Sequence, residues 1–194
     1  MINFNFSSDY SLENEIVLLR PLLKDDLPYL LPFALNEPDL WKYSLQNASG
    51  IEGMKAYLNL AIESRTSQTA YPFIVFDKRV QQYAGSTRFY DIQSQHETLQ
   101  LGYTWYGKDF QGTGINRNCK FLLLQFAFEV LNIKRVEFRA DQENSRSIAA
   151  MKKIGCIEEG ILRSHYIKPD GTRRNSIVLS IIADDWFNHI KCNF

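Results

Sequence analysis

The segment that most constrains this chain is Gln111-Gly112-Thr113-Gly114-Ile115-Asn116, set between a strand-like run, Leu99 to Tyr106, and a long apolar helix. Two glycines at a strand-to-helix turn let backbone N–H groups converge on one point, and the helix N-terminus adds the positive end of its dipole. Such a turn suits an anion the size of a pyrophosphate. A nucleoside-triphosphate loop would end Gly-Lys-Ser/Thr, but Gly114 is followed by Ile115 and Asn116. A dinucleotide fingerprint needs a third glycine, and that place holds Arg117. The plainer reading is a glycine turn that caps a helix.

The surrounding pattern alternates strands and helices. Ile115, Cys119, Leu122, Leu123, Phe126 and Val130 recur at helical spacing, which predicts a helix over 117–131. Arg135 to Ala140 alternates as a half-buried strand. Asp141 and Asn144 are both suitable caps for a helix over 145–154 that stops at Gly155. A strand from Cys156 to Leu162 follows, and Pro169-Asp170-Gly171 turns between extended runs at 161–167 and 175–182. Upstream, Ile16 to Arg20 reads as a strand. Lys24 to Leu35 and Gly53 to Ser64 read as helices, the first broken by Pro28 and Pro32. Tyr71 to Phe76 and Gln82 to Tyr90 form a hairpin through Asp77-Lys78-Arg79. The order βααβββαβαββ predicts an α/β fold, a mixed twisted sheet with helices on both faces.

Composition narrows the class. With 194 residues, 45% of them hydrophobic, the chain can bury one core, and a single domain over 1–194 is expected. The 22 basic and 22 acidic residues cancel, which leaves no nucleic-acid footprint. Apolar stretches are too short to span a membrane, and Met1-Ile2-Asn3-Phe4 lacks the features of a signal peptide, so a cytoplasmic location is expected. Cys119, Cys156 and Cys192 are too widely spaced for a disulfide framework or zinc site, and His96, His165 and His189 are scattered. A metal-free protein is expected.

The loop matches the pattern Gln/Arg-x-x-Gly-x-Gly/Ala, departing at Asn116. With Asn144-x-x-Ser147 opening the second helix and Gly155 closing it, the chain resembles the GNAT acyltransferases. The strings Leu101-Gly102-Tyr103-Thr104-Trp105, Arg135-Val136-Glu137 and Glu159-Gly160-x-x-Arg163 are similar to the ribosomal-protein N-terminal acetyltransferase (RimJ/RimL-like) branch. The resemblance covers residues 98–186. Leu19-Arg20-Pro21 and Asp25-Asp26-Leu27 fit the family's first strand and helix.

That resemblance implies acetyl-CoA as co-substrate and direct transfer of its acetyl group to a primary amine. It implies that Gln111, Gly112, Thr113, Gly114, Ile115 and Asn116 hold the pyrophosphate. It also implies that the strand carrying Tyr103, Thr104 and Trp105 splays from its neighbour, freeing backbone groups for the pantetheine and the thioester carbonyl. Asn144 would hold pantetheine amides, a role compatible with capping the helix. Many relatives carry a tyrosine where this chain has Met151, so Ser147 is the expected partner of the leaving thiolate, with Tyr166 in reserve. The alternative for Ser147 is a bond to the local backbone.

Gln100 stands where many relatives place a glutamate base. Glu97, Asp91, His165 and Tyr166 remain as bases acting through water, or as plain surface groups. Without a base, amines of low pKa are favoured, such as a peptide α-amine near ~8. Trp41, Tyr43 and Tyr57 are candidates for an aromatic wall around the acceptor, or for ordinary core. Protein N-terminus, polyamine, amino-sugar antibiotic and small metabolite all stay open as acceptors, and a homodimer is compatible. A non-catalytic acyl-CoA sensor on the same fold is the alternative function, and a structural domain that binds no nucleotide is a third.

Overall fold

The computed structural model describes residues 4–194; Met1 to Asn3, part of the segment read for a leader, lie outside them. The strands are β1 (Leu12–Glu13), β2 (Val17–Pro21), β3 (Ala70–Asp77), β4 (Gln82–Gln93), β5 (Thr98–Tyr106), β6 (Arg135–Asp141), β7 (Ile157–Ile167) and β8 (Arg173–Ile182). They pair into one eight-stranded sheet in the order β1-β2-β3-β4-β5-β6-β8-β7. Every pairing is antiparallel except β5 with β6, which is parallel and holds for three residue pairs, Thr98–Arg135, Leu99–Val136 and Gln100–Glu137. Beyond Gln100 and Glu137 the two strands part.

Period-two alternation sorts side chains between the two faces. Tyr71, Phe73 and Val75 of β3 join the larger core with Cys119, Leu122 and Leu123, whereas Ile74 joins a second core with Leu30, Met54, Tyr57 and Leu58. The first core lies under α3 (Ile115–Gln125) and α4 (Ser145–Lys153). The second lies under α1 (Leu27–Asn36) and α2 (Gly50–Thr66). Helices therefore cover both faces, as the element order predicts.

Several boundaries differ from the sequence reading. Helix α1 runs without interruption through Pro32, because Pro28 sits in the first turn, where no intrahelical donor is needed, and burial of Leu30 and Ala34 offsets the bond lost at Pro32. The runs at 156–162 and 161–167 form one strand, β7. Helix α3 ends at Gln125 and passes into a π-helical turn, Phe126–Val130. A further helical segment, unforeseen, begins at Ala183–Asp185 and continues as a π-turn over Trp186–Ile190. It packs the fully buried Trp186 against Phe128 and ties the indole N–H to Glu129 at 3.0 Å. Arg20 and Asp26, within the N-terminal motif, form a two-pronged ion pair at 2.9 and 2.6 Å that joins β2 to the entry of α1.

Candidate active site

The glycine loop stands at the N-terminus of α3. Gly112 and Gly114 adopt φ of +78° and +88°, and a side chain added at either would project into open space. The turn is therefore an open cradle of backbone, which fits a pyrophosphate. Its other residues brace it. Gln111 donates to the Tyr106 carbonyl at 2.7 Å, Thr113 Oγ1 donates to the Phe110 carbonyl at 2.7 Å, and Ile115 is buried in the core. Asn116 is half-buried on the first turn of α3. Arg79, which the sequence reading used only as a hairpin turn, donates to the Thr113 carbonyl at 3.1 Å. It is anchored by Asp77 and adds a cation beside the loop.

The fork between β5 and β6 opens next to this loop. Strand β5 carries one extra residue there, since Ser86 faces Trp105 while Arg88 faces Gly102. Tyr103, in the bulge, has φ +49°. The bulge reverses the alternation, sending Thr104 toward α3 and Trp105 toward α2. Thr104 Oγ1 lies 2.7 Å from Thr87 Oγ1 and accepts a bond from Lys120 Nζ at 3.1 Å. The Trp105 indole donates to Tyr57 Oη at 3.1 Å within the second core, so only its main chain is free for the cofactor role expected of it.

Lys120 is a residue the sequence reading missed. It is buried on α3, with its ammonium reaching Thr104 of β5 and resting 5.4 Å from the Phe138 ring of β6. Both partners lie beyond the last paired residues, so the cation spans the mouth of the fork. Burial pushes it down from its ordinary 10.5 to about 8. The same burial pushes the neighbouring Cys119 and Cys156 thiols up to about 12, leaving them unreactive.

On α4, Asn144 Oδ1 accepts the Ser147 N–H at 3.1 Å, which caps the helix. The Ser147 hydroxyl has no hydrogen-bond partner among the described residues and is half-buried. Met151 is buried in the core.

The opposite face of the sheet gathers the polar candidates. Gln100 donates to Asp91 at 2.7 Å, and across the parallel pair Glu137 is held by Arg139 at 2.6 Å and Arg135 at 2.9 Å. Neither is a free base. Glu97 sits in the β4–β5 turn, where its carbonyl accepts the Lys134 N–H. The His165 and Tyr166 rings lie with centroids 3.8 Å apart, tilted by 38°, near the end of β7, and His165 Nδ1 is buried without a partner among the described residues. Burial, followed by the fields of Arg139 and Arg174, lowers the His165 pKa. Trp41, 5% exposed, packs 5.0 Å from Trp105 with its indole N–H unpartnered among the described residues, and it also lines a pocket of about 240 Å³ together with Lys168, Pro169 and Asp170 of the β7–β8 turn. Tyr43 stands apart, half-buried beneath the Lys42 ammonium at 5.4 Å.

A forked parallel pair beside a two-glycine helix N-terminus defines the class of acyl-CoA N-acyltransferases. The acetyltransferase (GNAT) domain family matches residues 17–157, and the chain belongs to that family of N-acetyltransferases. It is 28% identical over 102 residues to YdaF of Bacillus subtilis (strain 168), a protein provisionally named a ribosomal N-acetyltransferase; the match spans 53% of this chain and 55% of that one. It is 26% identical over 175 residues to the spermidine N(1)-acetyltransferase of Escherichia coli (strain K12), covering 90% of each. The crystal structure of a protein from T. thermophilus, provisionally named an acetyltransferase, superposes with a TM-score of 0.87 at 28% identity, over 100% of this chain and 97% of that one. The resemblance to the branch of the ribosomal-protein acetyltransferases thus holds.

Proposed function

We propose that this chain moves the acetyl group of acetyl-CoA directly onto a primary amine, with a peptide α-amine as the favoured acceptor. The observation that carries this reading is the fork itself, opening beside the glycine cradle with a buried cation across its mouth. Gly112 and Gly114 would hold the pyrophosphate, with Arg79 adding charge. The main chain of Gly102 to Thr104, free of β6, would present donors to the thioester carbonyl oxygen as charge develops there. The acceptor nitrogen forms the new bond to carbon as the bond from carbon to sulfur breaks, and sulfur leaves with the electron pair. Lys120 would give that sulfur a proton, assisted by Ser147. A pKa of about 8 is close to the ~8.5 of an ordinary thiol, so the transfer is nearly balanced in energy. His165, held neutral by its surroundings, would take the proton the nitrogen sheds, through water.

The absence of a free carboxylate base at Gln100 supports an acceptor that is already partly deprotonated near neutral pH, which a peptide α-amine is and a lysine side chain is not. Release of coenzyme A thiol, measured against a panel of peptides, polyamines and lysine derivatives, tests the reading. Peptide α-amines are expected to give the highest kcat/KM. No thiol release with any amine, alongside intact coenzyme A binding, would instead establish a sensor.

A further inference from the structure

The face of the sheet opposite Lys120 carries a cation with nothing to hold among the described residues. Arg88 of β4 is 3% exposed, and its guanidinium donates to no acceptor among them; Nε and Nη2 are both buried and unpartnered. It is sandwiched between the Tyr57 ring of α2 at 5.1 Å and the Tyr103 ring of β5 at 4.2 Å. Aromatic faces attract a guanidinium but leave its in-plane N–H groups unsatisfied. Buried donors of this kind are costly unless something else pairs with them.

The position of Arg88 says where that partner would come from. It faces Gly102, two residues past the point where β5 leaves β6, and on the face opposite Lys120. Its outer cover is Tyr103, 36% exposed and packed edge-on against Tyr90 at 5.0 Å. Arg174 and Arg139 belong to the same neighbourhood, within electrostatic reach of Tyr90 and Tyr166. Among the described residues Arg174 bonds only Ser176, at 3.0 Å, and Arg139 shares Glu137 with Arg135. Asp91 is taken by Gln100, and Asp141 lies within electrostatic reach of Arg174 without forming an ion pair with it. The neighbouring carboxylates are thus engaged elsewhere, and none of them bonds Arg88 among the described residues.

We infer that Arg88 is a receptor for a carboxylate on the acceptor, so that the amines this enzyme takes are anionic. The inference rests on the transferase reading above. Because a strand advances about 3.3 Å per residue, a group on Arg88 lies within a residue or two of an amine at the freed main chain of Thr104. An acidic side chain at the first or second position of a peptide meets that requirement. A two-pronged bond from a guanidinium to a carboxylate is the geometry for which Arg is suited. A polyamine has the wrong sign.

The test is calorimetric titration of the coenzyme A-loaded protein with N-acetyl-Asp, N-acetyl-Asn and N-acetyl-Lys dipeptide amides, with turnover of the matching free amines. The wild type is expected to bind the Asp peptide at least tenfold more tightly than its Asn isostere. Arg88→Gln should erase that gap, and Arg88→Lys should keep part of it. Equal binding of the Asp and Asn peptides by the wild type overturns the inference without need of any variant, as does a gap that survives Arg88→Gln. Acetylation of acidic and neutral peptides alike would refute the Arg88 site and leave the transferase standing. Selective binding of the Asp peptide with no turnover would refute the transferase and keep the anion site.

Discussion

Lys120 Nζ donates to Thr104 Oγ1 at 3.1 Å, joining the helix that follows the glycine loop to the strand that leaves the sheet. The bond is made inside the core, where an ammonium is costly. Substituting Lys120→Met should therefore stabilise the protein while disabling it. The folded-state pKa of about 8 lies below the ordinary 10.5, so between those values the unfolded chain binds more protons. Stability conferred by the neutral amine is gained as pH rises through that window and is absent below it. Urea denaturation at pH 7 should show Lys120→Met more stable by roughly 1–3 kcal/mol, with the difference fading toward pH 10.5. At pH 7 its kcat should fall at least tenfold, as for loss of an acid acting on the leaving group.

The loop glycines give a second expectation. At φ +88° a β-branched residue is strained, and its side chain would occupy the open cradle. Gly114→Val should weaken coenzyme A binding at least tenfold, about 1.4 kcal/mol, in a folded protein. Gly171→Ala is the control, since Gly171 has φ +81° and equally open space but lies in the β7–β8 turn. Calorimetry should find its coenzyme A affinity unchanged.

Asn144 and Ser147 can be separated because the cap uses the serine N–H and not its hydroxyl. Ser147→Ala should leave the melting temperature within error and lower kcat by roughly tenfold to a hundredfold, with little change in acetyl-CoA affinity. Asn144→Ala should cost about 1 kcal/mol of stability through the lost cap. Wild-type turnover by Ser147→Ala would assign departure of the thiolate to Lys120 alone.

Trp41 is both core and pocket wall, and two substitutions divide these roles. Trp41→Ala should destabilise by about 3–5 kcal/mol, as for other buried aromatics. Trp41→Phe keeps most of the packing against Trp105 and removes an indole N–H that has no partner among the described residues. If that N–H serves the acceptor, Trp41→Phe raises the acceptor KM severalfold at an unchanged melting temperature.

What the sequence makes legible is local. Gly112 and Gly114 mark the loop because few other residues accept their φ, and Asn144 marks a helix start because its side chain reaches a backbone donor three residues on. Lys120 reads as a polar position on an amphipathic helix, and its burial follows from strands that part many residues away. Arg88 reads as the polar half of an alternating strand for the same reason. The bulge at Tyr103 has no marker of its own, yet it decides that Thr104 and not Trp105 faces Lys120. Pro32 misleads because tertiary burial of its neighbours outweighs its local cost.

Only three residue pairs stitch β5 to β6, so the sheet is mechanically two plates, one of β1 to β5 and one of β6, β8 and β7, sharing a short seam. A ligand lying in the fork would act as mortar between them. Between β2 and β7 this is the shortest ladder, so tension applied across those strands would tear the seam first. The force needed would rise with coenzyme A in place, and the protein would report its own occupancy as toughness.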